Sequence, residues 1–92
     1  MLQEQTKATP NSEVIVTELD GEAVLLHLGT KMYYSLNPTG LQIWKWMEQD
    51  LALDEIGTRL QQQYELEPER ARQCVLNLVN ELRGEQLVNV AS

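Results

Sequence analysis

The feature that most constrains the fold is a change of periodicity at Asn37-Pro38. Before it, residues 13–36 contain three runs rich in β-branched or aromatic residues, EVIVTEL, EAVLLHL and KMYYSL, separated by the pairs DG and GT. Asp-Gly between apolar runs is a strong hairpin signal. We therefore predict a three-stranded antiparallel meander whose third strand is an exposed edge. The first two strands are almost continuously apolar, so helices are expected to cover at least one face of the sheet.

After Asn37 the apolar residues follow a helical period, which predicts three helices. Asn37 is a suitable N-cap and Pro38 suits the first turn, where its missing N–H is not needed. This helix should end near residues 49–50. The second is predicted over residues 53–64, and the third begins at Glu67-Pro68 and should end at Gly84 as a left-handed cap. The fold class is therefore α+β, a three-stranded sheet followed by three helices.

Two tryptophans lie two positions apart in the first predicted helix. Side chains at this spacing point to different sides of a helix. Trp44 matches the apolar stripe with Leu41 and Met47, so it is assigned to the core. Trp46 is expected to be partly exposed.

The two ends of the chain differ in amino-acid composition from the residues between them. Residues 1–12 are polar and are predicted to be a flexible arm, followed by one domain over residues 13–90. The final run QLVNV alternates apolar and polar residues, so it either adds a short strand or lies against the body.

Charge and cysteine content exclude several classes of function. The 92 residues include 7 basic and 14 acidic side chains, a formal charge of −7 that argues against nucleic acid or an anionic membrane as partner. With one cysteine, no internal disulfide and no cysteine metal cluster can form. No run approaches the roughly 20 apolar residues of a membrane span, and no signal-peptide core is present. A cytoplasmic, soluble protein is expected.

No pattern of catalytic residues appears. His27 is the only histidine and lies mid-strand, whereas Cys74 lies at a core spacing of the third helix. Nothing brings them together as a nucleophile and base, and a structural role is assigned to both. The carboxylates are scattered over helix surfaces, and no glycine-rich phosphate loop is found. We expect no catalytic residue, no metal site and no cofactor.

The order of three stretches carries a family resemblance. ELDGEAVLLHL, then MYYSLNPTGLQIW, then YELEPERARQCVLNLVNELRGEQLV together resemble the PqqD family, the small stand-alone recognition elements for precursors of ribosomally synthesised, post-translationally modified peptides (RiPPs). The resemblance covers residues 13 to 88. Two departures stand out: a tight turn ending at Lys31 replaces a longer acidic-glycine turn, and Ala52 stands where a Ser or Thr cap often precedes the second helix.

The resemblance implies a winged-helix-like domain without catalytic activity that acts as a peptide chaperone. Members bind the leader segment of a precursor peptide and present it to a modifying enzyme, either a radical SAM enzyme or a leader peptidase and cyclase. Quinone cofactor, lasso peptide and other RiPP pathways use this module. The leader adds as a further strand to the third strand and packs against the third helix. The candidate peptide-binding residues are Lys31, Met32, Tyr33, Tyr34, Ser35, Leu36, Arg70, Cys74, Asn77, Leu78 and Glu81.

Two alternatives remain open at this point. The architecture is also that of winged-helix DNA-binding or transcription-associated domains, although the acidic charge opposes DNA binding. A bare dimerisation module would pair the open edge with its own copy, so both a monomer and an edge-paired homodimer are possible. Which residues of strand 32–36 direct their N–H groups outward is undecided.

Overall fold

The computed structural model describes residues 6–91, and these form eight elements. In chain order they are β1 Lys7–Pro10, β2 Val14–Leu19, β3 Glu22–His27, β4 Tyr33–Leu36, α1 Pro38–Glu48, α2 Leu53–Tyr64, α3 Pro68–Gly84 and β5 Val88–Ala91. Strands β2, β3 and β4 form an antiparallel sheet in that order, and β1 pairs with β5 in a second sheet. The predicted α+β class, with a three-stranded antiparallel sheet followed by three helices, is confirmed. No helix within residues 6–91 is both long and apolar enough to cross a membrane.

The second sheet differs from the flexible arm expected over residues 1–12. Strand β1 pairs antiparallel with β5, with Ala8 opposite Val90. Ala8 is buried between the exposed side chains of Lys7 and Thr9, and the Thr6 carbonyl accepts a hydrogen bond from Leu53 N at 2.9 Å. The polar composition of residues 1–12 suggested disorder. Strand β1 is nevertheless ordered, because its backbone pairs with β5 and the side chain of Ala8 is buried. Residues 1–5 lie outside the described residues.

The expectation that Trp46 is partly exposed was wrong. Trp44 and Trp46 are both buried, although they point to different sides of α1. Helix α1 packs against β3 and β4 and also against β1. It therefore lies between the two sheets, and each side finds an apolar partner.

The helix termini were largely anticipated. Asn37 caps α1 through a hydrogen bond from Gly40 N to Asn37 Oδ1 of 2.8 Å, with Pro38 in the first turn. Helix α3 ends at Gly84 as predicted, but Gly84 is not the left-handed cap, because the left-handed conformation lies at Gln86, with φ 61°. Leu87 N donates to Leu82 O and Gln86 N to Arg83 O, the pattern of a Schellman motif.

One core lies between the inner face of the main sheet and the helices. Its largest fully buried side chains include Leu25 of β3, Trp44 of α1, Ile56 of α2 and Val79 of α3. Helix α2 packs along α3, and the side of α3 that carries Glu81 is directed toward Tyr34 of β4. This packing sets an open sheet edge next to one side of the longest helix.

Candidate functional site

The backbone of β4 presents an unpaired edge whose direction follows from the β3–β4 register. His27 N donates to Met32 O at 3.0 Å, and the register pairs Leu25 with Tyr34 and Leu26 with Tyr33. Hydrogen-bonded and non-hydrogen-bonded pairs alternate along an antiparallel ladder. Tyr34 therefore bonds to β3, whereas the N–H and C=O groups of Tyr33 and Ser35 point away from it. This is the parity that the sequence left undecided.

The turn before β4 is held by His27, which supports its structural role. The ring Nδ1 of His27, a buried residue, accepts hydrogen bonds from Gly29 N at 3.0 Å and Thr30 N at 3.2 Å. Lys31 follows in the left-handed region at φ 66° and donates its N–H to His27 O. Met32 was expected within the strand, but β4 begins at Tyr33 and Met32 is an exposed residue of the turn.

The side chains of β4 point to two faces. Leu36 is buried and Tyr34 is half-buried on the inner face, toward the helices. Tyr33 and Ser35 are exposed on the outer face. A strand added at this edge would therefore place alternate side chains over α3 and over the outer face of the sheet.

Tyr34 and Glu81 connect β4 to α3. The Tyr34 hydroxyl donates a hydrogen bond to the Glu81 carboxylate. Burial raises the pKa of Tyr34 to about 12, assisted by this hydrogen bond and by the negative charges of Glu81 and Glu85. Glu85 was not among the predicted site residues, although its spacing of four from Glu81 places both on one side of a helix.

The other predicted α3 residues divide by exposure. Cys74 and Leu78 share the side of Glu81 by helical spacing and are half-buried against the core. Asn77 and Arg70 are exposed on the flank of this side. We define the β4–α3 cleft as the strip between β4 and the side of α3 that carries Cys74, Leu78 and Glu81. It has an apolar floor with polar groups on its rim.

The ends of the cleft can be assigned from Asn11. Asn11 Nδ2 donates to Gln86 O at 3.0 Å and lies 3.4 Å from His27 Nε2. The turn carrying Lys31 is therefore at the C-terminal end of α3. Arg70 lies 11 residues before Glu81, about 16 Å along the helix axis, so the two predicted cations occupy opposite ends. Within residues 6–91 neither forms an ion pair.

The described residues contain no other arrangement with evident chemistry. No cluster of three or more His, Cys, Asp or Glu side chains within residues 6–91 could hold a metal ion. Cys74 is a free, half-buried thiol. What the cleft can offer is backbone pairing, an apolar floor and a few charges, which is the chemistry of peptide binding.

Comparison with known proteins agrees with this geometry. The family model "Coenzyme PQQ synthesis protein D (PqqD)" matches residues 22–88. The chain belongs to the PqqD family. This confirms the resemblance, and the matched range includes β3, β4 and all three helices. A comparison with curated proteins finds no match.

Two solved structures are similar to this PqqD-family chain over most of its length. The first is TbiB1 in complex with the TbiA(beta) leader peptide, with 25% identity, a TM-score of 0.83, and coverage of 88% of this chain and 94% of that one. The second is lasso peptide synthetase B1 complexed with the leader peptide, with 23% identity, a TM-score of 0.83, and coverage of 90% and 98%. At 23% identity, the similarity to the second structure shows a shared fold.

Proposed function

We propose that this protein binds the leader segment of a ribosomally made precursor peptide by strand addition to β4 and presents it to a modifying enzyme. It performs no catalysis itself. The observation that carries the proposal is the open edge at Tyr33 and Ser35, which lies beside a half-apolar side of α3. The similar TbiB1 structure, which contains a leader peptide, supports it.

Backbone pairing supplies affinity that does not depend on leader sequence. Tyr33 and Ser35 each offer one N–H donor and one C=O acceptor at the edge. Each bond made in water contributes only about 0.5–1.5 kcal/mol, so a short ladder alone gives weak binding. Burial of leader side chains in the β4–α3 cleft must supply the rest, and this burial selects among leaders.

The cleft favours particular leader side chains. An apolar leader residue on the inner side would cover Cys74 and Leu78, which the free protein leaves half-buried. Next to them Glu81 and Glu85 favour a hydrogen-bond donor over an acidic group. Lys31 and Arg70, at the two ends, favour acidic residues that flank this segment, with a contribution of about 0–1 kcal/mol each because both are exposed.

The modifying enzyme belongs to one of two classes in this proposal. The matching family model is named for coenzyme PQQ synthesis, and one of the two similar structures is a lasso peptide synthetase B1. We assign a radical SAM enzyme as the partner if this chain serves a quinone cofactor pathway, and a leader peptidase and cyclase if it serves a lasso peptide pathway. The DNA-binding alternative gains no support from these comparisons, and the charge of −7 opposes it.

A direct titration tests the proposal. Fluorescent peptides are synthesised from the N-terminal halves of short precursor-like reading frames near the gene of this chain, and their polarisation is followed against protein concentration. One of them should bind with a Kd of about 10 μM or below. Ser35→Pro removes an outward N–H and should abolish most of this binding, whereas Val16→Pro, the corresponding change on the other sheet edge, should not. Equal loss in both variants, or no binding by the parent, contradicts the proposal.

A further inference from the structure

The outer face of the main sheet is mostly apolar and faces solvent. By the strand register, one cross-strand row contains Ile15, Leu26 and Tyr33, and the next contains Thr17, Val24 and Ser35. Ile15 is 48% exposed, Val24 39% and Tyr33 70%. Leu19, at the end of β2, is 74% exposed on the same face. Together these seven residues form what we call the outer patch.

The outer face carries more apolar side chains than is usual for a sheet face that is exposed only to solvent. An antiparallel sheet with one covered face usually carries polar side chains on the other. Here the three helices lie on the inner face, and the sheet positions on the outer face carry a single charge, at Glu22. Beside Val24 the surface dips into a shallow recess whose border includes Thr17, Ser35 and the acidic residues Asp20 and Glu22. A contiguous exposed apolar surface of this kind marks an interaction site.

The outer patch is continuous with the leader-binding edge. Tyr33 and Ser35 contribute their side chains to the patch and their free backbone groups to the open edge. A leader paired with β4 would become a fourth strand, and every second leader side chain would extend the patch. A protein seated on the patch would therefore contact the bound leader as well.

We propose that the outer patch is the docking surface for the modifying enzyme, which recognises the patch and the alternate leader side chains as one four-stranded surface. This inference rests on the proposed function. The enzyme surface that fits is apolar and lacks acidic groups, because the rest of this chain carries −7. The same charge opposes a second copy of the chain on the patch, since two acidic protomers repel each other.

This arrangement couples the two binding events. An enzyme that contacts both the patch and the leader binds the loaded protein more tightly than the empty one. By thermodynamic linkage the enzyme then strengthens leader binding by the same factor. The protein thus delivers leader selectively, without any change in its own fold.

The test uses a variant that alters the patch but not the leader edge. Ile15→Thr with Val24→Thr keeps β-branched residues in β2 and β3 and removes apolar surface. The matched control is Tyr64→Thr on α2, a side chain 39% exposed like Val24. The parent and both variants, each saturated with the leader peptide found by titration, are bound to the purified modifying enzyme encoded near this gene. Enzyme Kd, leader Kd and circular dichroism are measured for all three.

The inference predicts at least a tenfold rise in enzyme Kd for the double variant. Its leader Kd should stay within twofold of the parent, and its circular dichroism should stay within a few percent. Tyr64→Thr should stay within twofold on every measurement. Unchanged enzyme Kd in the folded double variant overturns the inference and leaves the proposed function standing. A parent that dimerises in sedimentation, with a monomeric double variant, also overturns it, because a second copy then occupies the patch. Failure of the parent to bind any leader overturns the proposed function itself.

Discussion

The two edge strands of the main sheet, β2 and β4, differ in the groups that surround them. At β2, Val14 N donates to Asn11 O at 3.1 Å, and Glu18 forms an ion pair with Lys45 of α1 at 3.1 Å. Charged side chains and covering segments of this kind discourage pairing with another strand. At β4 the free groups lie beside the half-apolar side of α3, with no charged residue between Met32 and Leu36.

The comparison shows that an open ladder alone does not make a binding site. By the alternation of the β2–β3 register, the N–H groups of Val16 and Glu18 also point away from β3. What β4 has in addition is a neighbouring helix whose half-buried side chains, Cys74 and Leu78, can gain burial when a strand is added. The difference between the edges lies in this apolar floor.

Proline substitution should produce the largest contrast. Proline removes the backbone donor, so its effect depends on the direction of the lost N–H. Tyr34→Pro breaks a ladder bond to β3 and should lower the free energy of unfolding by about 1–3 kcal/mol. Tyr33→Pro and Ser35→Pro should leave a folded domain whose leader affinity falls about tenfold or more. Thermal melts and leader titrations measure the two effects.

Val16→Pro is the control for these substitutions, because it removes an outward N–H from the other edge. It should cost no leader affinity. If Tyr33→Pro and Ser35→Pro both fold and bind leader as well as the parent, β4 is not the docking strand.

Substitutions in α3 should show a smaller contrast, between the apolar floor and the polar rim of the β4–α3 cleft. Leu78→Ala removes a half-buried side chain and should lower the free energy of unfolding by about 1–2 kcal/mol, which is below the range for a fully buried leucine. The same substitution should weaken leader binding. Asn77→Ala should change stability by less than about 0.5 kcal/mol and weaken leader binding. Calorimetric titration and leader-induced NMR shifts measure both. If neither Asn77 nor Glu81 responds to leader, the cleft is on the wrong side of the helix.

The contact between Tyr34 and Glu81 should appear as a pH effect. Because the pKa of Tyr34 is raised from 10.0 to about 12, the unfolded chain loses this proton first as pH rises. The contribution to stability is therefore complete below pH 10 and is lost between about pH 10 and 12. The difference in phenolate absorbance between the parent and Tyr34→Phe reports this titration. In Glu81→Gln the pKa of Tyr34 should fall only part of the way, because burial is the largest cause; an unchanged value would remove Glu81 from the account.

The exposed cations should give the smallest effect. Lys31→Gln and Arg70→Gln should each weaken leader binding by at most about fivefold at low salt, since exposed pairs contribute about 0–1 kcal/mol. Screening should remove most of this difference at 0.5 M salt. Leader affinities equal at both salt concentrations would leave Lys31 and Arg70 as surface charges without a role in binding.

Much of the architecture could be predicted because its signals are local. Asp20-Gly21 defines a hairpin, and Asn37-Pro38 defines the start of α1 within one turn. The final run QLVNV was a candidate strand, but the β1–β5 pairing could not be predicted, because its partner β1 is largely polar and lies at the other end of the chain. Helix α1 also packs against β1, so a second side of this helix is covered, and residue spacing alone does not show this.

The site was predictable only as a set of elements. The apolar stripe of α3 follows from helical spacing, but the side that faces β4 depends on the tertiary contact between Tyr34 and Glu81. The outward parity of β4 depends on which residue pair closes the turn from His27 to Met32. Residue spacing locates this turn without defining its hydrogen bonds, so the direction of the edge groups had to come from the structure.

Amide hydrogen exchange with and without leader tests the central claim most directly. The amides of Tyr33 and Ser35 are free in the unbound protein and should exchange at least tenfold more slowly when leader is bound. Those of Val16 and Glu18, on the opposite edge, should be unchanged. Protection at Val16 and Glu18, or unchanged exchange at Tyr33 and Ser35 under saturating leader, would contradict strand addition to β4.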